Sequence, residues 1–332
     1  MTVAHRPPAH GVVLEGTGGV WRVRTDAGET IDASLRGRLK KSDAGRRRDG
    51  SLRRDTVQSA AESLKLAVGD DVMLERSARG SEWAIAEILP RKSALARRAP
   101  GGGQGERIVA ANVDQVVIMF AMAKPEPHLR MLDRFLVIAE GNDLRARVIV
   151  NKIDLADSEE ARQRFRAYET AGYPVHYTSV KTGAGLADLK ASFNDCRSVI
   201  TGPSGVGKSS LLNAIFPGAG LRVGAISESV NKGRHTTVGA LMLPLPGDGT
   251  AGGAGYVIDT PGLREVGLWA LPPEHLDRCF PEMRALSPDC RYADCRHLAE
   301  PECAVRAAVD AGTVSEARYD SYRRLLEELE AG

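Results

Sequence analysis

Residues 202–209 read GPSGVGKS and match the pattern G-x-x-x-x-G-K-[ST] at every fixed position. They follow a predicted strand, CRSVI at 196–200, and precede a helical pattern, SLLNAIF at 210–216. A phosphate-binding loop requires this context, because its glycines let backbone N–H groups surround phosphate oxygens at the positive end of a helix. We expect Lys208 to reach the β- and γ-phosphates of a nucleotide and the Ser209 hydroxyl to bind Mg²⁺.

Two motifs upstream of this loop favour a guanine base. Residues 151–154 (NKID) close the predicted strand ARVIV, and a carboxylate such as Asp154 can accept hydrogen bonds from guanine N1 and the exocyclic amine. Residues 178–181 (TSVK) resemble the motif S-A-K that contacts the guanine oxygen, with Val180 in place of alanine. Either motif alone is also typical of a polar loop after a strand, but together with the phosphate loop they favour GTP over ATP.

Two segments downstream of the loop are candidates for sensing the γ-phosphate. Residues 259–262 (DTPG) end the predicted strand GYVI, where Asp259 can hold Mg²⁺ through water and the Gly262 amide can contact phosphate. By itself D-x-x-G is often only a turn. Residues 233–237 (GRHTT) resemble a switch segment, and we expect a threonine there, assigned to Thr237, to bind Mg²⁺.

The order of these motifs is unusual. Ordinary GTPases run from phosphate loop to switch threonine, D-x-x-G, N-K-x-D and S-A-K, whereas here the two guanine motifs come first. This order predicts a circularly permuted domain, which is feasible because surface connections can be rewired without moving the core.

The remaining patterns predict three units. Residues 1–92 show short alternating strands typical of a small β-barrel, and residues 93–108 form a basic, glycine-rich linker. Alternating strands and helices at 109–271 predict an α/β domain, and 272–332 end in an amphipathic helix at 315–332.

Charge and composition narrow the class of protein. The chain has 332 residues, 42% of them hydrophobic and only five of them cysteines. No run reaches the roughly 18 apolar residues of a membrane span, and the N-terminus lacks a secretion signal. These features predict a cytoplasmic, multidomain protein without a disulfide scaffold or a membrane partner.

One basic insert accounts for the positive charge of the N-terminal part. Residues 1–108 carry 20 Lys/Arg against 14 Asp/Glu, and residues 36–55 alone hold nine basic and three acidic side chains. A solvated loop explains such a run, and so does contact with a phosphate backbone.

A cysteine and histidine cluster lies near the C-terminus. Cys290, Cys295, His297 and Cys303 follow C-x4-C-x-H-x5-C, and four such ligands suit one closed, structural zinc site. The alternative is a set of buried free cysteines beside a surface histidine.

These parts together resemble the RsgA/YjeQ family of circularly permuted GTPases. The resemblance rests on ERIVAANVDQVVIMFA, NKID, GPSGVGKSSLLN, GRHTT, DTPGLREVGLW and the cysteine and histidine set, in this order. It implies an N-terminal OB-fold barrel that binds RNA, a central α/β circularly permuted P-loop GTPase domain and a C-terminal zinc-binding helical domain. It also implies a monomer that binds 16S ribosomal RNA, assists late maturation of the 30S subunit, and hydrolyses GTP to GDP faster when the subunit is bound.

The resulting set of candidate nucleotide-binding residues spans all five motifs. It consists of Asn151, Lys152, Asp154, Ser179, Val180, Lys181, Gly202, Pro203, Ser204, Gly205, Val206, Gly207, Lys208, Ser209, Ser210, Thr236, Thr237, Asp259 and Gly262. Lys208 and His235 are the catalytic candidates. Leu263 stands where many GTPases carry a water-orienting glutamine, so either His235 orients the water or it is only a surface switch residue.

Two departures from the family pattern and two alternative functions accompany this interpretation. The basic insert is longer than the usual barrel loop of the family, and Gly205 stands where potassium-activated GTPases place asparagine. The leading interpretation is a GTPase whose hydrolysis acts as a timer on the small subunit. The alternative is an RNA-binding factor whose nucleotide pocket is regulatory and whose GTP turnover is too slow to matter. An ATP-dependent kinase is disfavoured by residues 151–154.

Overall fold

The computed structural model describes residues 8–36, 66–76, 82–98, 106–218, 240–246, 255–259, 268 and 271–331. Five short strands close into an N-terminal barrel in the order β1-β2-β3-β5-β4. They are β1 (Ala9–Thr17), β2 (Val20–Thr25), β3 (Thr30–Leu35), β4 (Asp71–Arg76) and β5 (Trp83–Ile88). Alternate side chains such as Val13, Val23 and Ile85 are fully buried inside it. The predicted OB-fold barrel is confirmed, with β1 pairing β4 and β3 running parallel to β5 to close it.

The ends of the predicted linker at 93–108 pair with each other. Strand β6 (Ala94–Arg98) runs antiparallel to β7 (Glu106–Ala111), so the ends of the segment predicted as a basic, glycine-rich linker form a hairpin. The physical reason is burial: Leu95 and Ala110 are completely enclosed in the main apolar core. Residues 99–105, which carry the glycines, lie outside the described part of the chain.

A six-stranded sheet forms the centre of the molecule, in the order β10-β9-β8-β11-β13-β12. The strands are β8 (Gln115–Ala121), β9 (Arg145–Asn151), β10 (Val175–Tyr177), β11 (Cys196–Thr201), β12 (Leu241–Pro244) and β13 (Gly255–Asp259). All neighbours are parallel except β12, which runs antiparallel at the edge. Every residue of β8 is buried, as expected for a strand covered on both faces.

In the described part of the chain, four helices cover the two faces of this sheet. They are α1 (Leu129–Glu140), α2 (Ser158–Thr170), α3 (Leu186–Ala191) and α4 (Lys208–Ile215). Apolar residues of α1 and α2 belong to one buried cluster, and those of α3 and α4 belong to another. Because parallel strands end at the same edge, Asn151, Gly202 and Asp259 come together there.

The C-terminal unit packs directly against helix α1. It contains short helical turns, α5 (Pro281–Arg284), α6 (Ala304–Asp310) and α7 (Glu316–Ala331). Phe280, Val305 and Leu326 share one continuous apolar core with Leu136 of α1. The helix predicted at 315–332 is therefore present, with Tyr322 and its neighbours on the buried face.

The barrel is fastened to the sheet by polar contacts at one junction. Arg197 of β11 pairs with Asp71 of β4 at 2.7 Å and donates to the Gly69 carbonyl at 2.9 Å. Gly69 has a φ of +89°, and a Cβ there would lie 2.1 Å from the Ala111 carbonyl oxygen. Only glycine allows this close approach. Among the described residues no helix is long and apolar enough to cross a membrane.

Candidate functional site

The phosphate loop connects β11 to α4, as predicted. Gly202 has a φ of +140°, and a Cβ on it would lie 2.0 Å from the carbonyl oxygen of Met119. Gly207, which caps α4, has a φ of +97° and would bring a Cβ within 2.7 Å of Asn151 Nδ2. Both positions therefore exclude a side chain, and the loop leaves its backbone N–H groups at the N-terminus of a buried helix, where they attract anions.

Lys208 folds over this loop. Its ammonium group donates to the carbonyls of Gly202 at 3.0 Å and Pro203 at 2.9 Å. The charge therefore lies beside the loop, where it can neutralise phosphate oxygens. The next residue, Ser209, is buried on the first turn of α4.

Asp259 lies at the end of β13, next to β11. Burial raises the pKa of this carboxyl to about 6, although the nearby Lys208 opposes the rise. A carboxyl with this pKa is ionised at neutral pH and is ready to hold a cation. The other switch candidates, His235, Thr236, Thr237 and Gly262, lie outside the described residues.

Asn151 ties the guanine motif to the phosphate loop. Its amide donates to the Val206 carbonyl at 2.9 Å, and its oxygen accepts from the Thr178 hydroxyl at 3.2 Å. Lys152 has a φ of +62° and donates to the carbonyls of Gly205, at 2.7 Å, and Lys124. Two loops that are more than 50 residues apart in the sequence are thus held as one site.

Asp154 is oriented by the second guanine motif. Ser179 donates its hydroxyl to Asp154 Oδ1 at 2.6 Å, and the Lys181 ammonium lies 3.8 Å from Oδ2. The Asp154 side chain is 13% exposed, so it is largely enclosed but still accessible to a ligand. Two oxygens have about four acceptor positions, which leaves capacity for two N–H donors of guanine.

Two residues that help to build the site were absent from the predicted set of nucleotide-binding residues. Thr178 orients Asn151 through its hydroxyl, and Lys124 supplies a backbone carbonyl to Lys152. Thr178 belongs to the quoted motif, but its side-chain role has no sequence signature. Lys124 lies just past the end of β8, and the neighbouring Pro125 and Pro127 indicate only that a turn occurs there.

The four predicted zinc ligands come together in the C-terminal unit. Their ligand atoms all lie within 4.8 Å of one another. Cys290 Sγ is 3.9 Å from Cys303 Sγ, and His297 Nδ1 is 3.4 Å from Cys303 Sγ. Bonds of about 2.3 Å to sulfur and about 2.0–2.1 Å to nitrogen place tetrahedral ligand atoms about 3.5–3.8 Å apart. The donor set and its spacing therefore fit zinc.

The other nitrogen of His297 is held by a second set of side chains. Nε2 is 3.2 Å from Ser287 Oγ and 3.6 Å from Asp277 Oδ2, and Ser287 also donates to Asp277 at 2.8 Å. Burial lowers the pKa of His297, but the interactions with Asp277 and Cys303 outweigh burial and raise it. Such a carboxylate contact orients a metal-binding imidazole so that Nδ1 faces the ion.

The sequence is similar to proteins of one family. The model of the RsgA GTPase family matches residues 88–269. The protein called small ribosomal subunit biogenesis GTPase RsgA in Gemmatimonas aurantiaca is 54% identical over 320 residues, covering 96% of this chain and 97% of that protein.

Two solved structures share the whole architecture. YjeQ from Thermotoga maritima superposes with a TM-score of 0.75 at 32% identity, covering 98% of this chain and all of that one. YloQ, described as a circularly permuted GTPase, gives a TM-score of 0.70 at 27% identity, with 100% and 98% covered. The permuted motif order, the site that it builds and this similarity along nearly the full chain lead to one conclusion: the chain belongs to the RsgA GTPase family.

Proposed function

We propose that this chain is a GTP hydrolase that binds the small (30S) ribosomal subunit and assists its late maturation, with hydrolysis stimulated by the subunit. The observation that carries the proposal is the coupling of Asp154, held by Ser179, to a phosphate loop through Asn151. The subunit enters from the names of relatives, which are called small ribosomal subunit biogenesis GTPases.

In this proposal the described site residues bind GTP or GDP in two halves. Asp154 and the loop at 178–181 hold the base, whereas residues 202–210 surround the phosphates. Ser209 and Thr237 would hold Mg²⁺, with Asp259 acting through water. The ion, when bound, neutralises charge on the β- and γ-phosphates.

Hydrolysis requires a group that orients water, and Leu263 cannot do this. We assign that role to His235. Changing His235→Ala should lower 30S-stimulated turnover by roughly 100-fold, the scale of a positioned catalytic group, and leave GTP affinity nearly unchanged. Lys208→Ala serves as the positive control and should abolish turnover, because it removes a charge beside the phosphates. Full stimulated turnover in the His235 variant would contradict the assignment.

The three units have separate tasks in this proposal. The barrel domain (1–92) and its basic insert contact 16S rRNA, residues 109–271 bind GTP, and residues 272–332 hold one structural zinc ion. The protein acts as a monomer in the cytoplasm, where its ribosomal partner is located.

The deciding experiment measures GTP hydrolysis with no subunit, with purified 30S and with purified 50S subunits. We expect a large rise with 30S alone. The rival function, an RNA-binding factor with a regulatory nucleotide pocket, predicts 30S binding with the same slow turnover as the free protein. Equal stimulation by 50S would contradict the choice of subunit.

A further inference from the structure

Arg318 of helix α7 is an almost completely buried cation at the junction of the C-terminal unit and the central sheet. Its side chain is 2% exposed. It donates to Asp133 of α1 at 2.7 Å and, through two nitrogens, to both oxygens of Glu282 at 2.7 and 3.2 Å. Ser321, one turn further along α7, donates to the other oxygen of Asp133.

The guanidinium also lies over aromatic rings. It is 4.6 Å from the ring centre of Phe280 and 5.3 Å from that of Tyr168, which belongs to α2. Arginine is suited to this position because its planar fork can bind carboxylates on its edge and rings on its faces. One side chain thus touches α1, α2 and the C-terminal unit.

The two helices that Arg318 contacts lie on either side of the guanine motif in the sequence. Helix α1 leads into β9, which ends at Asn151, and α2 begins a few residues after Asp154. The Tyr168 hydroxyl donates to the Leu129 carbonyl at 3.4 Å, so the first turn of α1 is tied to α2.

Residues 124–128, which lead into α1, contact both the loop that carries Lys152 and helix α2. The Lys124 carbonyl accepts from Lys152, and this contact carries the attachment. Glu126 also pairs with Arg164 of α2 at 3.0 Å, but the Glu126 side chain is exposed and the pair contributes little. A shift of α1 relative to α2 therefore acts on the backbone that carries Lys152 and Asp154.

We propose that Arg318 is a positioning residue for guanine recognition: by clamping α1 and α2 to the C-terminal helix, it fixes the Asp154 carboxylate where it can bind the exocyclic amine of the base. This inference rests on the proposed guanine site, but it does not depend on a ribosomal partner. Its consequence is that the C-terminal unit contributes to base selection without touching the nucleotide.

The test compares GDP with inosine diphosphate (IDP), which lacks the exocyclic amine. Dissociation constants are measured for the full chain by equilibrium titration, and the ratio of the IDP constant to the GDP constant reports the contact of Asp154 with that amine. In the wild type this ratio should be about 10 to 150, the value of one hydrogen bond to a charged group. Arg318→Lys keeps the charge but cannot hold both carboxylates, and it should lower the ratio at least about fivefold.

A surface ion pair between the same helices provides the matched control. Arg134 of α1 pairs with Glu328 of α7 at 2.6 Å, but both side chains are substantially exposed. Exposed pairs contribute little, so Arg134→Ala should leave the ratio unchanged. Such a result separates the buried clamp from general weakening of the α1–α7 contact.

A milder variant keeps the test decisive if Arg318→Lys does not fold. Tyr168→Phe removes the hydroxyl that contacts the Leu129 carbonyl and Asp133 but retains the ring under Arg318, and it should lower the ratio about two- to threefold. If Arg318→Lys folds, an unchanged ratio in that variant would overturn the proposal. If it does not fold, an unchanged ratio in Tyr168→Phe would do so, and in either case Arg318 would contribute to stability only. A wild-type ratio near one would overturn the guanine site as well, whereas missing 30S stimulation would contradict only the proposed function.

Discussion

At the scale of single residues, we propose that base selection depends on Asp154, because its carboxylate can only accept hydrogen bonds. Asp154→Asn replaces one acceptor oxygen with an N–H donor, which faces the donors of guanine. We expect GTP affinity to fall by about 30- to 1,000-fold, or about 2–4 kcal/mol, and affinity for xanthosine nucleotides to rise. Equilibrium titration with GDP, xanthosine diphosphate and ADP checks this, and equal binding of GDP and ADP by the wild type would refute it.

We expect Asp259 to give the nucleotide site a pH dependence. Burial raises its pKa to about 6, so in the nucleotide-free protein the carboxyl becomes protonated as the pH falls below that value. The folded protein holds this proton more tightly than the unfolded chain, so the carboxyl lowers stability as the pH rises from about 4 to 6. Cation binding follows the opposite course, because it requires the ionised form.

We therefore expect the Mg²⁺-dependent part of GDP affinity to fall about tenfold per pH unit below pH 6. Titrations between pH 5 and 8, with Mg²⁺ and with a chelator, measure this component. Asp259→Asn is the control, and its Mg²⁺-dependent affinity should not fall below pH 6. If the affinity of the variant falls in the same way as that of the wild type, another group is responsible.

The residues that could be predicted from sequence are those whose chemistry fixes their spacing. Gly202, Lys208 and Asp154 each belong to a short motif, and the structure brings their segments to one edge of the sheet. Arg318 could not be found in this way, because an arginine on an amphipathic helix ordinarily faces solvent. Its partners Asp133 and Glu282 are distant in sequence, and only packing brings the three together.

At the scale of elements, the loop at 287–303 carries the four predicted zinc ligands and has little regular secondary structure. Residues 287–303 contain one short helical turn, and Tyr319 and Tyr322 of α7 donate to the backbone carbonyls of His297 and Arg296. The backbone N–H groups of Arg296, Leu298 and Ala299 also donate to the Glu300 carboxylate. These contacts order parts of the loop, and we expect a metal ion that joins all four ligands to complete its conformation.

Metal analysis should find about one zinc ion per chain, and Cys303→Ser should lower this content strongly. Cys196→Ser is the matched control, because Cys196 lies in β11 outside the cluster, and it should retain the metal. Chelation should also accelerate amide hydrogen exchange within residues 287–303. Unchanged exchange after complete zinc removal would mean that the loop is held by its protein contacts alone.

Elements with a strong periodic pattern were predicted well, and short elements were missed. Strand β9 and helix α7 match their predicted positions within about a residue. Strand β12 has only four residues and ends in a proline, so no alternation could identify it. The β6–β7 hairpin was missed because its arginines suggested exposure, whereas its burial comes from contacts with distant parts of the chain.

At the scale of the whole molecule, the barrel and its basic insert are the candidate RNA-binding part. Within the insert only Arg36 is described, and it pairs with Glu75 of β4. If the other cations contact phosphates, then changing Arg46, Arg47 and Arg48 to glutamate should weaken 30S binding. Each lost contact should reduce the slope of log affinity against log salt by roughly 0.7–0.9.

Binding to 30S subunits at several salt concentrations measures this slope, and intrinsic GTP hydrolysis provides the control for folding. Hydrolysis should not change, because the nucleotide site lies in another unit. Parallel salt curves for the wild type and the triple variant would identify the insert as a solvated loop.

The sheet is divided along the chain into two contiguous halves. Strands β8, β9 and β10 come first and carry the guanine motifs, whereas β11, β12 and β13 follow and carry the phosphate loop and Asp259. During translation, the base-binding half is therefore synthesised before any residue of the phosphate loop. The nascent chain cannot retain a nucleotide until most of the protein has been synthesised, and GTP then stabilises a nearly finished molecule by joining its early half to its late half.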